Sequence, residues 1–350
     1  MVNPIAIGDR LVGPGHPCFV IAEAGVNHNG SLDLALQLVD VAAESGADAV
    51  KFQTFKAEKL TTAAAKQADY QARNLGKTES QLAMLKRLEL SADDHHRIIE
   101  RCQQRGILFM STPFDEDSAD FLDELGMPVI KIPSGEVTNL PFLRHLAAKQ
   151  RPMILSTGMS ALGEVETAVD ALQAAGNSQF VLLQCVSNYP ADPRDVNLKA
   201  MHTMAAAFGH PVGYSDHTLG IEVSLASVAL GACVVEKHFT LDRTLPGPDH
   251  LASSEPDEIR QLVEGIRKVE AALGSGRKAA AASEANTASV VRRSIVAARP
   301  ILAGHTITRD DLMARRPGTG LSPAMMGQIV GLTAREDIPA GELITLKKVA

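Results

Sequence analysis

The sequence predicts an α/β protein: a closed (β/α)8 barrel followed by a small, mostly β module. Three observations carry this. From Cys18 to Leu241, short β-branched or apolar runs alternate with longer amphipathic stretches, the pattern of parallel strands joined by helices. Eight such units over about 250 residues match a closed TIM barrel rather than an open doubly wound sheet, which is the alternative. Past Leu273 the alternation stops, and a short segment with an internal repeat follows.

The eight predicted strands are Cys18–Ala24, Ala49–Thr54, Ile107–Ser111, Val129–Pro133, Met153–Ser156, Phe180–Cys185, Pro211–Tyr214 and Cys233–His238. Predicted helices between and after them include Ser31–Glu44, Ser91–Gln104, Gly163–Ala175, Ile221–Leu230 and Glu255–Leu273. Ser31 with Asp33 supplies an N-terminal cap for the first, and Gly46 supplies its end. Residues 1–273 are thus assigned to the barrel and 290–350 to a second domain. Between them, 274–289 (GSGRKAAAASEANTAS) is small, polar and poor in large apolar residues, which reads as a linker. Within the second domain Ile301–Thr308 (ILAGHTIT) echoes Ile338–Thr345 (IPAGELIT), so two copies of one strand-turn-strand unit are expected in a pseudo-symmetric fold.

The 350 residues are 45% hydrophobic and 21% charged, enough for one large core domain and a smaller one. With 41 acidic against 34 basic residues, a formal charge of -7 and no basic run, a nucleic-acid or membrane-surface partner is not expected. No apolar stretch reaches the ~20 residues of a membrane span, and Met1–Arg10 lacks the shape of a signal peptide, so a cytoplasmic protein is expected. The four cysteines, Cys18, Cys102, Cys185 and Cys233, have no paired spacing and read as buried free thiols.

Barrels of this kind carry their chemistry at the carboxyl ends of the strands, and here nearly every strand ends in polar residues. Alternation lets Lys51 share the interior with Gln53, and Ser215 with His217. An ammonium group in a barrel interior is expensive unless an anion meets it. Lys51 and Lys131 with the hydroxyls of Thr112, Ser134, Ser156 and Ser215 make a cradle for phosphate and carboxylate; the structural alternative pairs each lysine with a carboxylate such as Glu23 or Glu136. His217 and His238 close adjacent strands, within reach of one divalent cation with open positions. Asp249 in a Pro-Gly-Pro loop and Arg316 before a glycine-rich turn are further polar candidates, whereas Asp216, Glu236 and His250 read equally well as supporting groups.

The runs IAEAGVNHNG (21–30), VKFQTF (50–55), STPF (111–114), KIPSGE (131–136), STGM (156–159), YSDHT (214–218) and EKHFT (236–240), in this order, resemble those of the bacterial sialic acid synthase family. The tail from Arg293, with RPGTG (316–320), resembles the antifreeze-like SAF module, a β-clip fold. The resemblance implies condensation of phosphoenolpyruvate with N-acetylmannosamine and water, giving N-acetylneuraminate and phosphate. It leaves N,N'-diacetyllegionaminate or pseudaminate synthesis from a related N-acetylated hexose as the alternative. A divalent cation is implied, Mn2+ first, with Mg2+ or Co2+ as substitutes, and so is a domain-swapped homodimer. Carried over by motif, His217 and His238 hold the metal, and Lys51, Thr112, Lys131, Ser134, Ser156 and Ser215 hold phosphoenolpyruvate. Gln53, Tyr189, Asp249 and the Arg316 of the second chain contact the sugar, while Asn74 sits in a loop, Tyr70–Leu82, that closes over phosphoenolpyruvate. Glu136 is expected to move a proton near the aldehyde oxygen or the attacking water, and Glu23 to orient water at the metal. Asn188 and Arg292 stand where the family pattern varies. A 3-deoxy-sugar-acid phosphate synthase would need a further cationic cluster, and a non-catalytic binding protein would show gaps among the polar strand ends; neither is seen.

Overall fold

A computed structural model describes residues 2–68, 71–72, 74 and 79–350. The chain divides into two compact units, Met1–Gly274 and Ser275–Ala350.

The first unit opens with an antiparallel hairpin, β1 (Ile5–Ile7) and β2 (Arg10–Val12). Eight strands follow: β3 (Phe19–Gly25), β4 (Ala49–Thr54), β5 (Leu108–Pro113), β6 (Ile130–Ile132), β7 (Met153–Ser156), β8 (Phe180–Cys185), β9 (Val212–Asp216) and β10 (Val234–His238). They form one sheet in the order β5-β4-β3-β10-β9-β8-β7-β6, all paired strands being parallel. At the seam β5 and β6 lie against each other, which makes the sheet a nearly closed barrel. All eight predicted runs are strands, although β9 continues to Asp216, two residues past its predicted end.

The helices form where caps and apolar spacing coincide. In Ala92–Arg105, Ser91 and Asp94 complete a reciprocal capping box, and Gly106 ends the helix in the left-handed conformation at φ 67°. His95, Ile98 and Cys102 lie on its buried face, spaced three and four residues apart. The helix Leu32–Glu44 starts from Ser31, whose side chain accepts from the Leu34 amide, as its sequence suggested.

Strand parity sorts the interior into two layers. At the amino end, Phe19, Ile21, Ala49, Met110, Ile154, Val181 and Leu183 form an apolar plug, which Ile5, Ile7 and Val12 of the hairpin close from below. The hairpin was not read from the sequence; its strands of three residues are too short for a period-two signal. A Cβ at Gly213 would come within 2.5 Å of the Val234 carbonyl and 2.7 Å of Leu183, so the crowded plug admits no side chain there. The carboxyl layer above is polar, and outward positions differ from inward ones: Ser111 bonds Thr54 at 2.7 Å, and Thr54 bonds His95 at 2.8 Å, away from the barrel axis.

In the second unit, β11 (Ser294–Ala297) pairs antiparallel with β12 (Leu312–Arg315). The two echoed segments meet as a pair: the amides of Ile301 and Ile338 each donate to the other's carbonyl, at 2.9 and 2.7 Å. Gly304 and Gly341 both turn at left-handed φ, 80° and 82°, and Ile307 and Ile344 are both buried. Part of the stretch read as a linker is ordered otherwise, with a short, mostly exposed helix at Ala285–Val291. Among the described residues no helix is long and apolar enough to cross a membrane.

Candidate active site

The polar layer lines a cavity of about 460 Å³ at the carboxyl ends of the strands. Its floor is built by residues at alternate positions of neighbouring strands, so their side chains share one side of the sheet. Lys51 of β4 donates to Thr112 of β5 at 2.9 Å and lies 2.7 Å from Glu23 of β3 and 3.7 Å from Glu236 of β10. Lys131 of β6 donates to Ser156 of β7 at 2.7 Å and stands 3.6 Å from Glu236. Ser215 of β9 donates to Glu236 at 3.2 Å, and Gln53 donates to Glu23 at 3.3 Å.

These charges are buried and set one another. Burial alone would raise Glu236, but Lys131 and Lys51 outweigh it and hold the carboxyl below the usual range. Burial raises Glu23 to about 7 against the pull of Lys51. Burial would lower Lys51, yet Glu23 and Glu236 hold it above its ordinary value. Lys131 has the thinner support, and burial lowers it. The floor therefore sets two lysines against Glu236, held ionised, and Glu23, raised to about 7, and an incoming anion would meet both lysines.

His217 and His238 face each other beside this floor, with ring centroids 5.4 Å apart. The Nδ1 of His217 meets the Val186 carbonyl at 2.6 Å, which fixes that nitrogen as a donor. Burial would lower this imidazole, but Cys185 and the Val186 carbonyl outweigh it and hold it above its usual value, so Nε2 offers a lone pair only in the neutral ring. Among the described residues, the Nδ1 of His238 is buried without a partner. Tyr189 packs its ring 4.0 Å from that of His217, and Asp249, raised to about 6 by burial, completes this side of the cavity. Among the described residues, no group of three or more His, Cys, Asp or Glu side chains is arranged to hold a metal ion. In their neutral forms the two imidazoles, one with its Nδ1 committed to a carbonyl and one with an unsatisfied ring nitrogen, fit a cation that takes its other ligands from water and substrate.

Most of the residues singled out in the sequence come together here: Glu23, Lys51, Gln53, Thr112, Lys131, Ser134, Ser156, Tyr189, Ser215, His217, His238 and Asp249 all line the cavity. Ser134 accepts from the Gly158 amide at 2.9 Å. Asn74 donates to the Pro248 carbonyl at 2.7 Å, and the rest of its loop lies partly outside the described residues. Arg316 belongs to the second unit, where its Nε donates to the Val291 carbonyl at 3.0 Å. The side chain of Asn188 is exposed.

Glu136 lies beyond the end of β6 at Ile132, in the 3-10 turn Ser134–Glu136, where its carboxylate accepts from Asn139 at 2.7 Å; Ser134 and Gly135 of that turn line the cavity. The floor also holds Glu236. The signal was in the sequence, because Glu236 stands two residues before His238 on one strand and must share its face. Sequence reasoning also missed an apolar wall. Val26, Phe55, Met84, Leu85 and Leu88 form a small cluster of their own beside the barrel mouth and line the cavity.

The turn after β3 is held by buried polar groups. Asn27 donates to the Phe239 carbonyl at 2.8 Å and to Ser253 at 2.9 Å, and the Gly30 amide donates to Nδ1 of His28 at 3.0 Å. Burial lowers His28 and His250 to about 4 each. Between pH about 6.5 and about 4 the unfolded chain binds protons at these imidazoles and the native chain does not, so stability should fall as pH falls through that window. For His28 alone the shift corresponds to about 3 kcal/mol. Urea unfolding at pH 7 and pH 4.5 should show this loss, and His28→Gln should reduce it; equal pH slopes in parent and variant would refute the assignment.

A cationic, largely preformed pocket at the carboxyl face of a parallel barrel defines an enzyme site, and with the module that follows it the class is that of the sialic acid synthases. The model of the NeuB family matches residues 38–278, and that of the SAF domain matches 292–350. The chain belongs to the NeuB family. It is 53% identical over 338 residues to an N,N'-diacetyllegionaminic acid synthase of Legionella pneumophila, covering 95% of each chain. It is 48% identical to a protein of the same name from Campylobacter jejuni, covering 93% of this chain and 98% of that one. The crystal structure of an N-acetylneuraminic acid (sialic acid) synthetase from Leptospira borgpetersenii, in complex with citrate, superposes with a TM-score of 0.72 at 37% identity, covering 82% of this chain and 95% of that one.

Proposed function

We propose that this protein condenses phosphoenolpyruvate with a hexose bearing two acetamido groups, releasing phosphate and giving N,N'-diacetyllegionaminate. The observation that carries the first half is the pair of buried lysines, Lys51 and Lys131, facing one pocket with Glu236 held ionised between them. Such a floor suits the carboxylate and phosphate of an enol phosphate. The acceptor follows from the relatives: the sequence alone favoured N-acetylmannosamine, but the relatives at 53% and 48% identity both carry the diacetyllegionaminic name. Phosphoenolpyruvate brings no nitrogen, so both acetamido groups of that product come from the sugar.

In this reading Lys51, Thr112, Lys131, Ser134, Ser156 and Ser215 hold phosphoenolpyruvate, and Gln53, Tyr189 and Asp249 contact the sugar. His217 and His238 would hold a divalent cation, Mn2+ before Mg2+ or Co2+, which supplies Lewis-acid polarisation of the open-chain aldehyde. The methylene carbon of phosphoenolpyruvate bonds to the aldehyde carbon, and the alkene electron pair it spends leaves positive charge on the enol carbon. Water adds there, and the tetrahedral intermediate expels phosphate to give the keto acid. Glu236, held ionised between two lysines, is the group for accepting the water proton. Glu23, raised to about 7, is the group for donating one to the new hydroxyl.

Phosphate release with phosphoenolpyruvate, Mn2+ and a panel of acceptors tests this. The diacetamido hexose should exceed N-acetylmannosamine in kcat/KM by about 10-fold or more, since even one missing methylene costs that much in a fitted pocket. A preference for N-acetylmannosamine would return the acceptor to the sialic acid type, and no release with any N-acetylated hexose would defeat the synthase reading.

A further inference from the structure

The imidazoles of His217 and His238 point into the cavity from β9 and β10, and the residues between and beside them point the other way. There, on the outer face of the sheet, lies a second polar cluster. Lys237 donates to Asp216 Oδ2 at 2.9 Å and to the Thr218 carbonyl at 2.7 Å. Asp216 Oδ1 accepts from the Tyr214 hydroxyl at 3.0 Å and from the Thr218 amide and hydroxyl, each at 2.8 Å; Oδ2 also accepts from Ser224 at 2.5 Å. Tyr214, Asp216, Thr218, Ser224 and Lys237 are all essentially inaccessible to solvent.

A buried ion pair this deep is an inefficient source of stability, since desolvating both charges offsets much of their attraction. What it supplies is geometry. Asp216 and Thr218 flank His217 in sequence, and Lys237 directly precedes His238. One lysine thus ties both sides of His217 to the neighbouring strand at the position where the second imidazole leaves it.

We propose that Asp216 and Lys237 are positioning residues, an outer clamp that locks the ends of β9 and β10 in register so that both imidazoles converge on the cavity. The clamp acts through His217 and His238 and touches no substrate. Only its Mn2+ arm below rests on the reading of those histidines as metal ligands.

The test uses the full chain with nitrogen-15 histidine, comparing the parent with Lys237→Met and with the double variant Asp216→Asn/Lys237→Met. The double variant removes both charges together, which leaves no orphaned ion and should keep the melting temperature within a few degrees of the parent's. It therefore remains informative if the single variant fails to fold. The hydrogen-bonded Nδ1–H of His217, identified by its loss in His217→Ala, should shift or broaden in the folded double variant. Mn2+ affinity without substrate should fall about 10- to 100-fold, as for other groups that orient a ligand. Turnover per folded molecule, with the folded fraction fixed by circular dichroism, should fall in kcat with little change in KM for phosphoenolpyruvate. A folded double variant with the parent's His217 resonance and the parent's Mn2+ affinity overturns the proposal. Should the parent bind no Mn2+, the metal reading fails, and the His217 resonance alone decides the clamp.

Discussion

Lys51→Met is expected to lower kcat/KM for phosphoenolpyruvate by about a thousandfold, equivalent to about 4 kcal/mol. The ammonium group lies 2.7 Å from Glu23, 3.7 Å from Glu236 and 2.9 Å from Thr112, with almost no solvent access. Its removal acts twice. The pocket loses half of its cationic floor, and Glu23 loses the charge that opposes it while Glu236 keeps only Lys131, a situation that costs on the order of 3–5 kcal/mol. Steady-state kinetics with phosphoenolpyruvate varied should show KM rising and kcat falling, and the melting temperature should drop. Pairing the change with Glu23→Gln isolates the effect on folding: the double variant should recover melting temperature, and a melting temperature that stays low would mean that Lys51 does more for the fold than oppose Glu23.

His217→Ala and His238→Ala should each weaken Mn2+ binding and turnover together, by about two orders of magnitude or more. Their rings stand 5.4 Å apart, with one nitrogen of His217 committed to the Val186 carbonyl and Nδ1 of His238 buried without a partner among the described residues. With no third His, Cys, Asp or Glu arranged beside them among the described residues, losing either imidazole halves the protein's share of the coordination. Titration followed by manganese electron paramagnetic resonance gives the affinity directly. Unchanged affinity in both variants would remove these residues from the metal site.

The floor of the cavity was legible because a barrel strand obeys a strict two-residue period. Once Lys51 is inside, Gln53 is inside; once Ser215 is inside, His217 is too. The same rule places Glu236 on the face of His238, a residue that the sequence reading left open between a supporting and a contacting role. Glu136 lies beyond the end of β6, where a 3-10 turn replaces the alternation, so strand logic no longer applies to it. The apolar wall was illegible for a different reason. Val26, Phe55 and Met84 come from three separate segments with no shared period, and only the packing of the helix Gln81–Lys86 against the barrel mouth brings them together. The echo in the second unit was legible as a repeat, whereas the pairing of its two copies through Ile301 and Ile338 was not.

By itself the sequence determined the local choices: which runs become strands, where Ser31 and Ser91 start helices, and which side chains alternate toward one side. Those follow from propensity, capping and period, each of which acts within a few residues. Tertiary structure alone decided which charges meet. Lys51 finds Glu23 from 28 positions away and Glu236 from 185, because the barrel closes β10 against β3 and places β4 beside it. Burial then set the balance of charge, holding Glu236 ionised and raising Glu23 to about 7, and that depends on the depth of the pocket rather than on any neighbour in the chain.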